Sequence, residues 1–285
     1  MTPSEPTPSE PTSSDRTSSE PTSGECADRV AVVTGASRGI GAAIALRLAR
    51  AGARVAAVAR TLDPDPRYVG TLHDTVNAVA AAGGLAVAVQ ADLSRADERR
   101  RLVAQIEQQL GPIDILVNNA AVTYLARIED FPSRRLDLML DVQVRAPFEL
   151  TQLVLPGMYE RGSGWVLNVS ARAAVHPDGP PFDDIDTLGF SVYGMCKAAL
   201  ERFTTALAAE GYAHGVRANA LAPWDNVATP GAGAHDLVAG FPIESPEVMA
   251  EAALALVSGD ITGRIAYSQH LLDELGAMSA DRKAR

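Results

Sequence analysis

The chain has 285 residues, a formal net charge of −10, 47% hydrophobic residues and 21% charged residues. These proportions are typical of a globular protein with a sizeable core, and since neither half is strongly basic, they argue against nucleic-acid binding. No apolar run reaches the roughly 18 residues that a membrane span needs, so we expect no membrane contact. Two cysteines without a Cys/His cluster predict neither a disulfide framework nor a metal site. Without a secretory signal at the start, we expect a cytoplasmic protein.

The first 28 residues differ in composition from the rest of the chain. They carry six acids and one base, and therefore half of the net negative charge. The sequence Ser-Glu-Pro-Thr occurs in them three times, at Ser4–Thr7, Ser9–Thr12 and Ser19–Thr22. With so few apolar side chains to bury, this segment cannot offset the entropy of ordering. We predict a disordered tail over residues 1–28, and a docking or phosphorylated segment is the alternative.

From Arg29 onward, short apolar runs rich in β-branched residues alternate with segments of helical periodicity. The predicted strands are Val30–Thr34, Arg54–Ala59, Leu85–Gln90, Ile113–Asn118, Gly164–Val169, Arg217–Leu221 and Arg264–Tyr267. The predicted helices are Ile40–Ala51, Leu72–Ala82, Asp97–Leu110, Ser133–Tyr159, Tyr193–Glu210 and Pro246–Val257. This alternation predicts one α/β domain over residues 29–276, a Rossmann-like, doubly wound parallel sheet of about seven strands with helices on both faces. Residues 277–285 would form a C-terminal tail.

A glycine-rich segment, Thr34–Gly41 (TGASRGIG), stands between the first strand and the first helix. Glycines at this place allow a tight turn and a close approach to a pyrophosphate, which then rests on the helix N-terminus. The segment therefore predicts a nucleotide-cofactor site, with an ordinary strand–helix turn as the alternative.

This TGxxxGxG spacing resembles the short-chain dehydrogenase/reductase family, and four later segments match that family in the same order. They are Ala91-Asp92-Leu93, Asn118-Asn119-Ala120-Ala121, Tyr193-Gly194-Met195-Cys196-Lys197 and Asn219-Ala220-Leu221-Ala222-Pro223. The match covers roughly residues 29–276. The resemblance implies a nicotinamide-dependent oxidoreductase that assembles as a homodimer or homotetramer.

The resemblance and the charge pattern together define a set of cofactor-binding candidates. They are Gly35, Ser37, Arg38, Gly39, Ile40, Gly41, Arg60, Asp92, Leu93, Asn119, Ala120, Ala121, Tyr193, Lys197, Pro223, Val227 and Thr229. An NAD enzyme usually ends its second strand with an acid for the ribose hydroxyl, but here Ala59 is followed by Arg60, while Asp63 and Asp65 come too late. Arg38 and Arg60 suit a 2′-phosphate, because guanidinium groups pair with phosphate oxygens. We therefore predict NADP(H).

Tyr193 and Lys197 are four residues apart and would share one helix face. The resemblance implies that the tyrosine passes a proton to or from the substrate and that the lysine holds the nicotinamide ribose. A nearby ammonium would lower the phenol pKa from about 10 toward neutrality. A Tyr/Lys pair on a solvated helix face is the alternative.

Two positions depart from the family pattern. In the run Asn168-Val169-Ser170-Ala171, the usual catalytic serine falls at Ala171, and Ser170 points to the opposite face of the strand. Losing one such donor costs a factor of about 10²–10³ in rate, unless Ser170 or Ser191 serves instead or the substrate carries its own activation. Gln143 stands where the family has an asparagine, and it could hold a water. The catalytic candidates are thus Tyr193, Lys197, Ser170 and Gln143.

Two segments should face the substrate. The connection Arg172–Val192 is long and holds His176 together with the acids Asp178, Asp183, Asp184 and Asp186, although a solvated acidic loop would look the same. After the sixth predicted strand, Trp224 and Asp225 stand where glycine is common, and Gly231–Gly240 resembles a flap that closes over substrate. The substrate-contact candidates are Ala171, His176, Trp224 and Asp225.

These features favour NADPH-dependent reduction of a carbonyl or imine in a small molecule, or the reverse oxidation, with specialised metabolism as one setting. The alternative is a non-redox cyclase, isomerase or lyase on the same fold, which the residues at 171 and 143 would suit. A nucleotide-sensing regulatory protein is a third reading, against which the complete Tyr-x-x-x-Lys motif argues.

Overall fold

The computed structural model describes residues 24–64, 69–182, 188–227 and 242–277. Its main sheet has seven parallel strands in the order β3-β2-β1-β4-β5-β6-β9. The strands are β1 Val30–Thr34, β2 Arg54–Ala59, β3 Leu85–Gln90, β4 Ile115–Asn118, β5 Gly164–Val169, β6 Val216–Ala222 and β9 Ile265–Tyr267. The predicted α/β fold with one parallel sheet of seven strands is confirmed.

Helices connect these strands. They are α1 Gly39–Arg50, α2 Leu72–Ala81, α3 Ala96–Leu110, α4 Ser133–Leu140, α5 Ala146–Arg161, α6 Ser191–Gly211, α7 Pro246–Ser258 and α8 Ser268–Glu274. Two short strands, β7 Asn226–Val227 and β8 Ile243–Glu244, pair separately in parallel. Of the helices in the described part of the chain, none has the length and apolarity to cross a bilayer.

The sheet is buried on both faces, which explains its continuous apolar strands. On β1, Ala31 and Val33 pack into one core with α1 and α7, whereas Val30 and Val32 pack into a second core with α3 and α5. Successive strand residues point to opposite faces, so a strand that supplies both cores has to be apolar throughout.

The predicted helix Ser133–Tyr159 is in fact three consecutive segments. Between α4 and α5 the chain forms a π-helical turn, Asp141–Arg145, which contains Gln143. A π turn has one more residue per turn than an α-helix, and apolar periodicity does not reveal it over so few residues. Helix α8 and the β7–β8 pair were not predicted, because elements of seven and two residues give too little periodic signal.

The packed part of the chain begins before residue 29. Residues 24–28, which fall in the predicted tail, form a turn in which Cys26 is fully buried and donates its N–H to the Ala51 carbonyl at 2.9 Å. The repeats at 4–22 and the terminal residues 278–285 lie outside the described residues.

Candidate functional site

A cavity of about 1750 Å³ opens at the carboxyl ends of the parallel strands. It lies where the strand order reverses between β1 and β4, the usual ligand site of doubly wound sheets. Segments that follow β1, β2, β3, β4, β5 and β6 all contribute to its wall. The predicted cofactor candidates other than Thr229 line this one cavity, and Thr229 lies outside the described residues.

The glycine-rich turn is packed directly against the end of β4. Gly35 and Gly39 have φ angles of +67° and +55°, a conformation that favours glycine. A Cβ at Gly35 would lie 2.8 Å from Asn119 Nδ2, and one at Gly41 would collide with Asn119 Nδ2 and the Gly35 carbonyl. The side chain of the N-cap residue Arg38 makes no capping hydrogen bond to the first turn of α1, and the N–H groups of this turn can therefore bind an anion such as a pyrophosphate.

Thr34 and Asn119 hold this turn in place. Asn119 Nδ2 donates to the Thr34 carbonyl at 2.7 Å, and Thr34 Oγ1 accepts from the N–H groups of Asn119 at 2.9 Å and Ala120 at 3.1 Å. The Asn119 side chain therefore braces the cofactor turn, besides lining the cavity. The bracing role of Thr34 was missed from the sequence.

Both predicted phosphate-binding arginines border the same end of the cavity. Arg38 donates from Nη2 to Thr61 Oγ1 at 3.1 Å, just beyond the end of β2, where Arg60 is exposed along the cavity wall. Asp63 lies 3.6 Å from His73 and is absent from the cavity wall; Asp65 lies outside the described residues. This end of the cavity thus combines two guanidinium groups with a hydroxyl.

Asp92 and Leu93 are held by local bonds in the wall after β3. Asp92 Oδ1 accepts from the N–H and the hydroxyl of Ser94 at 3.0 and 2.8 Å. The Leu93 carbonyl accepts from Arg99 Nη1 at 2.6 Å, and the buried Arg99 pairs with Glu149 at 2.7 Å. These bonds fix the wall where the resemblance places the adenine.

Tyr193 and Lys197 stand on one face of α6, as predicted. Lys197 is only 2% exposed, donates from Nζ to the Val169 carbonyl at 2.8 Å, and lies 5.6 Å from the Tyr193 ring centre. Burial raises the pKa of Tyr193 to about 12 and lowers that of Lys197 to about 8. The expected lowering of the phenol pKa was wrong, since desolvation by burial is the main cause of the shift and the neighbouring Cys196 acts in the same direction. Tyr193 is thus a protonated phenol at neutral pH.

A glycine brings the start of α6 against the turn after β5. A Cβ at Gly194 would collide with the Ala173 carbonyl. The small residue lets the helix approach the 3₁₀ turn Arg172–Ala174, and so Tyr193 shares a wall of the cavity with Ala171.

A buried polar chain braces the same region. Asn118 on β4 donates to Asn168 on β5 at 2.8 Å, and Asn168 donates to Thr204 on α6 at 2.8 Å. These bonds couple two strands to the helix that carries Tyr193 and Lys197. The signal in the sequence was an asparagine at the same level of two adjacent strands.

The two candidate serines differ in what their hydroxyls contact. Ser170 is 3% exposed and its Oγ donates to Glu201 Oε1 at 2.6 Å, so its proton is already engaged. Burial raises the pKa of Glu201, an acid on α6 that was missed from the sequence. Ser191 is exposed and lines the cavity at the first residue of α6. Among the described residues the Ser191 hydroxyl has no hydrogen-bond partner, so of the two hydroxyls it is the one placed to donate to a ligand.

Gln143 lies behind the cavity wall. Its Nε2 donates to the Val122 carbonyl at 3.1 Å, and its buried Oε1 has no partner within the described residues. Val142 and Val122 line the cavity, whereas Gln143 does not. A buried amide oxygen without a partner is a place where a water is expected, which fits the predicted water-holding role.

The predicted substrate residues Ala171, His176, Trp224 and Asp225 all line the cavity, as does the exposed Asp178. The other loop acids Asp183, Asp184 and Asp186 and the predicted flap Gly231–Gly240 lie outside the described residues. Sequence reasoning missed Arg172, whose guanidinium lies 5.0 Å from the Trp224 ring centre, and Tyr267, whose ring packs edge-on against Trp224 at 5.5 Å.

A profile of the short chain dehydrogenase family matches residues 29–234. A short chain dehydrogenase of Pseudocercospora fijiensis is 40% identical over 203 residues, which are 70% of this chain and 60% of that protein. Hydroxysteroid dehydrogenase-like protein 2 of Xenopus tropicalis is 31% identical over 264 residues, 90% of this chain and 61% of that protein. The chain thus spans about three fifths of the length of these curated relatives.

Solved structures show the same architecture. A 3-oxoacyl (acyl-carrier-protein) reductase from Agrobacterium tumefaciens, crystallised with NADP bound, superposes with a TM-score of 0.73 at 28% identity. The alignment covers 85% of this chain and 93% of that structure.

Proposed function

Since the chain belongs to the short-chain dehydrogenase/reductase family, we propose that it is an NADPH-dependent oxidoreductase that reduces a carbonyl or imine in a small molecule, or catalyses the reverse oxidation. One observation carries the proposal: the protonated Tyr193 and the buried Lys197 share a cavity with an anion-binding turn and two arginines. We also propose that the enzyme acts in the cytoplasm and that specialised metabolism is one setting for its reaction.

The residues at one end of the cavity fit NADPH. The Gly35–Gly41 turn would take the pyrophosphate, because a Cβ at its glycines would fill the space or clash with Asn119. Arg38 and Arg60 would pair with the 2′-phosphate, and no acid ends β2 to compete for it. The NADP bound to the Agrobacterium tumefaciens reductase supports this choice. Bound NADPH supplies the hydride.

Tyr193 would donate the proton. With its pKa raised to about 12 by burial, the phenol keeps its proton at neutral pH and releases it only to a strongly basic oxygen or nitrogen. Such a base forms when negative charge develops on the substrate during reduction. Lys197, held by the Val169 carbonyl, would stabilise the phenolate that remains and bind the nicotinamide ribose.

The absence of a hydroxyl at Ala171 limits the substrates that this arrangement serves well. A simple ketone would lack one donor to its oxygen, at a cost of about 10²–10³ in rate. An iminium carries its own positive charge and needs no such donor. We therefore expect either an activated substrate or a different group of the chain that positions the carbonyl.

The test is NADPH oxidation, followed by absorbance, with a panel of ketones, aldehydes and cyclic imines. Tyr193→Phe should lower kcat by about 10²–10⁴-fold, as for loss of a general acid, and should affect NADPH affinity far less than kcat. Tyr212→Phe is the matched control, because Tyr212 is exposed beyond the end of α6. Tight NADPH binding without turnover of any substrate would contradict the proposal.

A non-redox cyclase, isomerase or lyase is the second candidate, and the missing hydroxyl at Ala171 together with Gln143 favours it. Protein stripped of nucleotide would discriminate the two. Product formation in its absence would favour the non-redox enzyme, and strict dependence on added NADPH would favour the reductase.

We also propose a homodimer or homotetramer built on α5 and α6. Phe148 and Leu153 on α5 and Met195 on α6 are exposed large apolar side chains, and the Phe148 ring lies 5.5 Å from that of Phe203. An exposed apolar surface of this kind favours association. Light scattering would measure the mass, and Phe148→Glu should shift it toward the monomer.

A further inference from the structure

Resting on the proposed function, we propose that Arg172 binds a carboxylate of the substrate, so that the natural substrate is an oxo acid or the corresponding imino or hydroxy acid. Trp224 would hold the arginine in place for this contact. Arg172 directly follows Ala171, the position without the expected hydroxyl, and both residues line the cavity with Tyr193.

Among the residues that the structure describes, the guanidinium of Arg172 has no polar partner, and Arg172 lines the cavity that a substrate would enter. The side chain is exposed to the cavity, and within the described residues no carboxylate lies at ion-pair distance and no acceptor bonds the guanidinium. Its contact is with the Trp224 ring, 5.0 Å from the centre. A guanidinium over an aromatic face keeps its N–H edges free, and those edges match a carboxylate bidentately.

Trp224 is itself held on several sides. Its ring packs against the rings of Tyr267 and His270, with centroids at 5.5 and 4.0 Å, and its backbone N–H donates to Ser268 Oγ at 3.3 Å. Ser268 in turn donates to the buried Glu244. The aromatic surface under Arg172 is therefore a fixed part of the wall, which reduces the entropy lost when the arginine binds an anion.

The nearby acids favour a single negative charge on the ligand. Asp225 accepts from Gln269 at 3.0 Å, Glu201 accepts from Ser170, and Asp178 is exposed on the cavity wall. Because Asp178 and Asp225 line the same cavity as Arg172, a phosphate dianion would meet more repulsion there than a carboxylate would.

A carboxylate bound at Arg172 would also compensate for the missing serine. The serine of an ordinary carbonyl reductase orients the substrate carbonyl as well as donating to it. Anchoring the other end of a short oxo acid would supply the orientation by a different contact, and orientation is itself worth a large factor in rate.

The first experiment compares levulinate and acetoacetate with their methyl esters as substrates for NADPH oxidation. The acids should be preferred in kcat/KM, and Arg172→Gln should raise KM for the acids by about 10- to 100-fold while leaving the esters unchanged. Arg172→Lys should have a KM for the acids between those of the unaltered protein and Arg172→Gln, because lysine keeps the charge but lacks the planar guanidinium edge. Arg50→Gln, an exposed arginine at the end of α1, is the charge-matched control.

The second experiment measures the binding of levulinate in the absence of turnover. The chain has two tryptophans, and Trp165 lies away from the cavity under Arg29, at 3.9 Å. In Trp165→Phe with NADP⁺ present, levulinate should change the emission of Trp224 saturably, because the bound carboxylate alters the charge that Arg172 places over the ring. The same titration in Trp165→Phe/Arg172→Gln should show no saturable change.

Equal use of acids and esters, an unchanged KM in Arg172→Gln, or preference for dihydroxyacetone phosphate over the oxo acids would each overturn the inference. So would a levulinate titration without an emission change. Failure of the proposed function is distinguishable, since it removes NADPH oxidation with all substrates but leaves the Trp224 response to levulinate intact.

Discussion

The two ends of the cavity are built in different ways. The proposed cofactor end consists of backbone turns, in which Gly35 and Gly41 pack against Asn119 just after β4, and Asn119 braces β1 with bonds of 2.7–2.9 Å. The proposed substrate end consists of side chains from three separate segments, with Arg172 after β5, Trp224 after β6 and Tyr267 at the end of β9. The close-packed glycine turn tolerates few substitutions, whereas each substitution in the side-chain wall changes the shape and charge of the cavity. This chain is therefore freer to differ from its relatives at the substrate end than at the cofactor end.

The largest effect should come from filling the close-packed glycine turn. Gly41→Val places a side chain against Asn119 and the Gly35 carbonyl, so NADPH affinity should fall by about 100-fold or more. Calorimetric titration with NADPH measures this. Gly157→Ala in α5 is the control, because its Cβ meets only the tip of Arg161, and it should bind NADPH normally. Normal binding by Gly41→Val would mean that the glycine turn does not hold the cofactor.

An intermediate effect should come from the charged side chains at the same end. Arg38→Gln and Arg60→Gln should each weaken NADPH binding by about 10- to 100-fold, the usual contribution of a charge-assisted hydrogen bond, and leave NADH binding unchanged. Arg38 should matter more, since its bond to Thr61 orients it while Arg60 is exposed. Equal loss of affinity for NADPH and NADH would show that these arginines do not bind the 2′-phosphate.

The smallest effect on rate should come from Ser170 at the substrate end. Its hydroxyl donates to Glu201 at 2.6 Å, so Ser170→Ala should leave kcat nearly unchanged. The free energy of unfolding should fall by about 1 kcal/mol, because the half-buried carboxyl of Glu201 loses a hydrogen-bond partner. Steady-state kinetics and urea denaturation give the two values. A 100-fold fall in kcat without loss of stability would show that this hydroxyl serves the substrate instead.

Much of the fold was predictable because its signals are local. The continuous apolar strands and glycine-terminated helices predicted the parallel sheet. The π turn at Asp141–Arg145, the helix Ser268–Glu274, the β7–β8 pair and short 3₁₀ turns such as Arg172–Ala174 were not predicted. At the site, the glycine turn and the Tyr193–Lys197 pair follow from spacing along one chain segment. The raised pKa of Tyr193 could not be predicted in this way, because the burial of its side chain depends on segments remote in sequence.

By itself, the sequence determined the family, the parallel sheet, the anion-binding turn and the absence of a hydroxyl at Ala171. Each of these features depends on residues that are neighbours in the sequence. Only the tertiary structure decided that Ser170 is engaged by Glu201, that Gln143 stands behind the wall, and that Arg172 lies over Trp224. These contacts join residues 21 to 52 positions apart, and a local sequence pattern does not show which of them the packing of a sheet brings together.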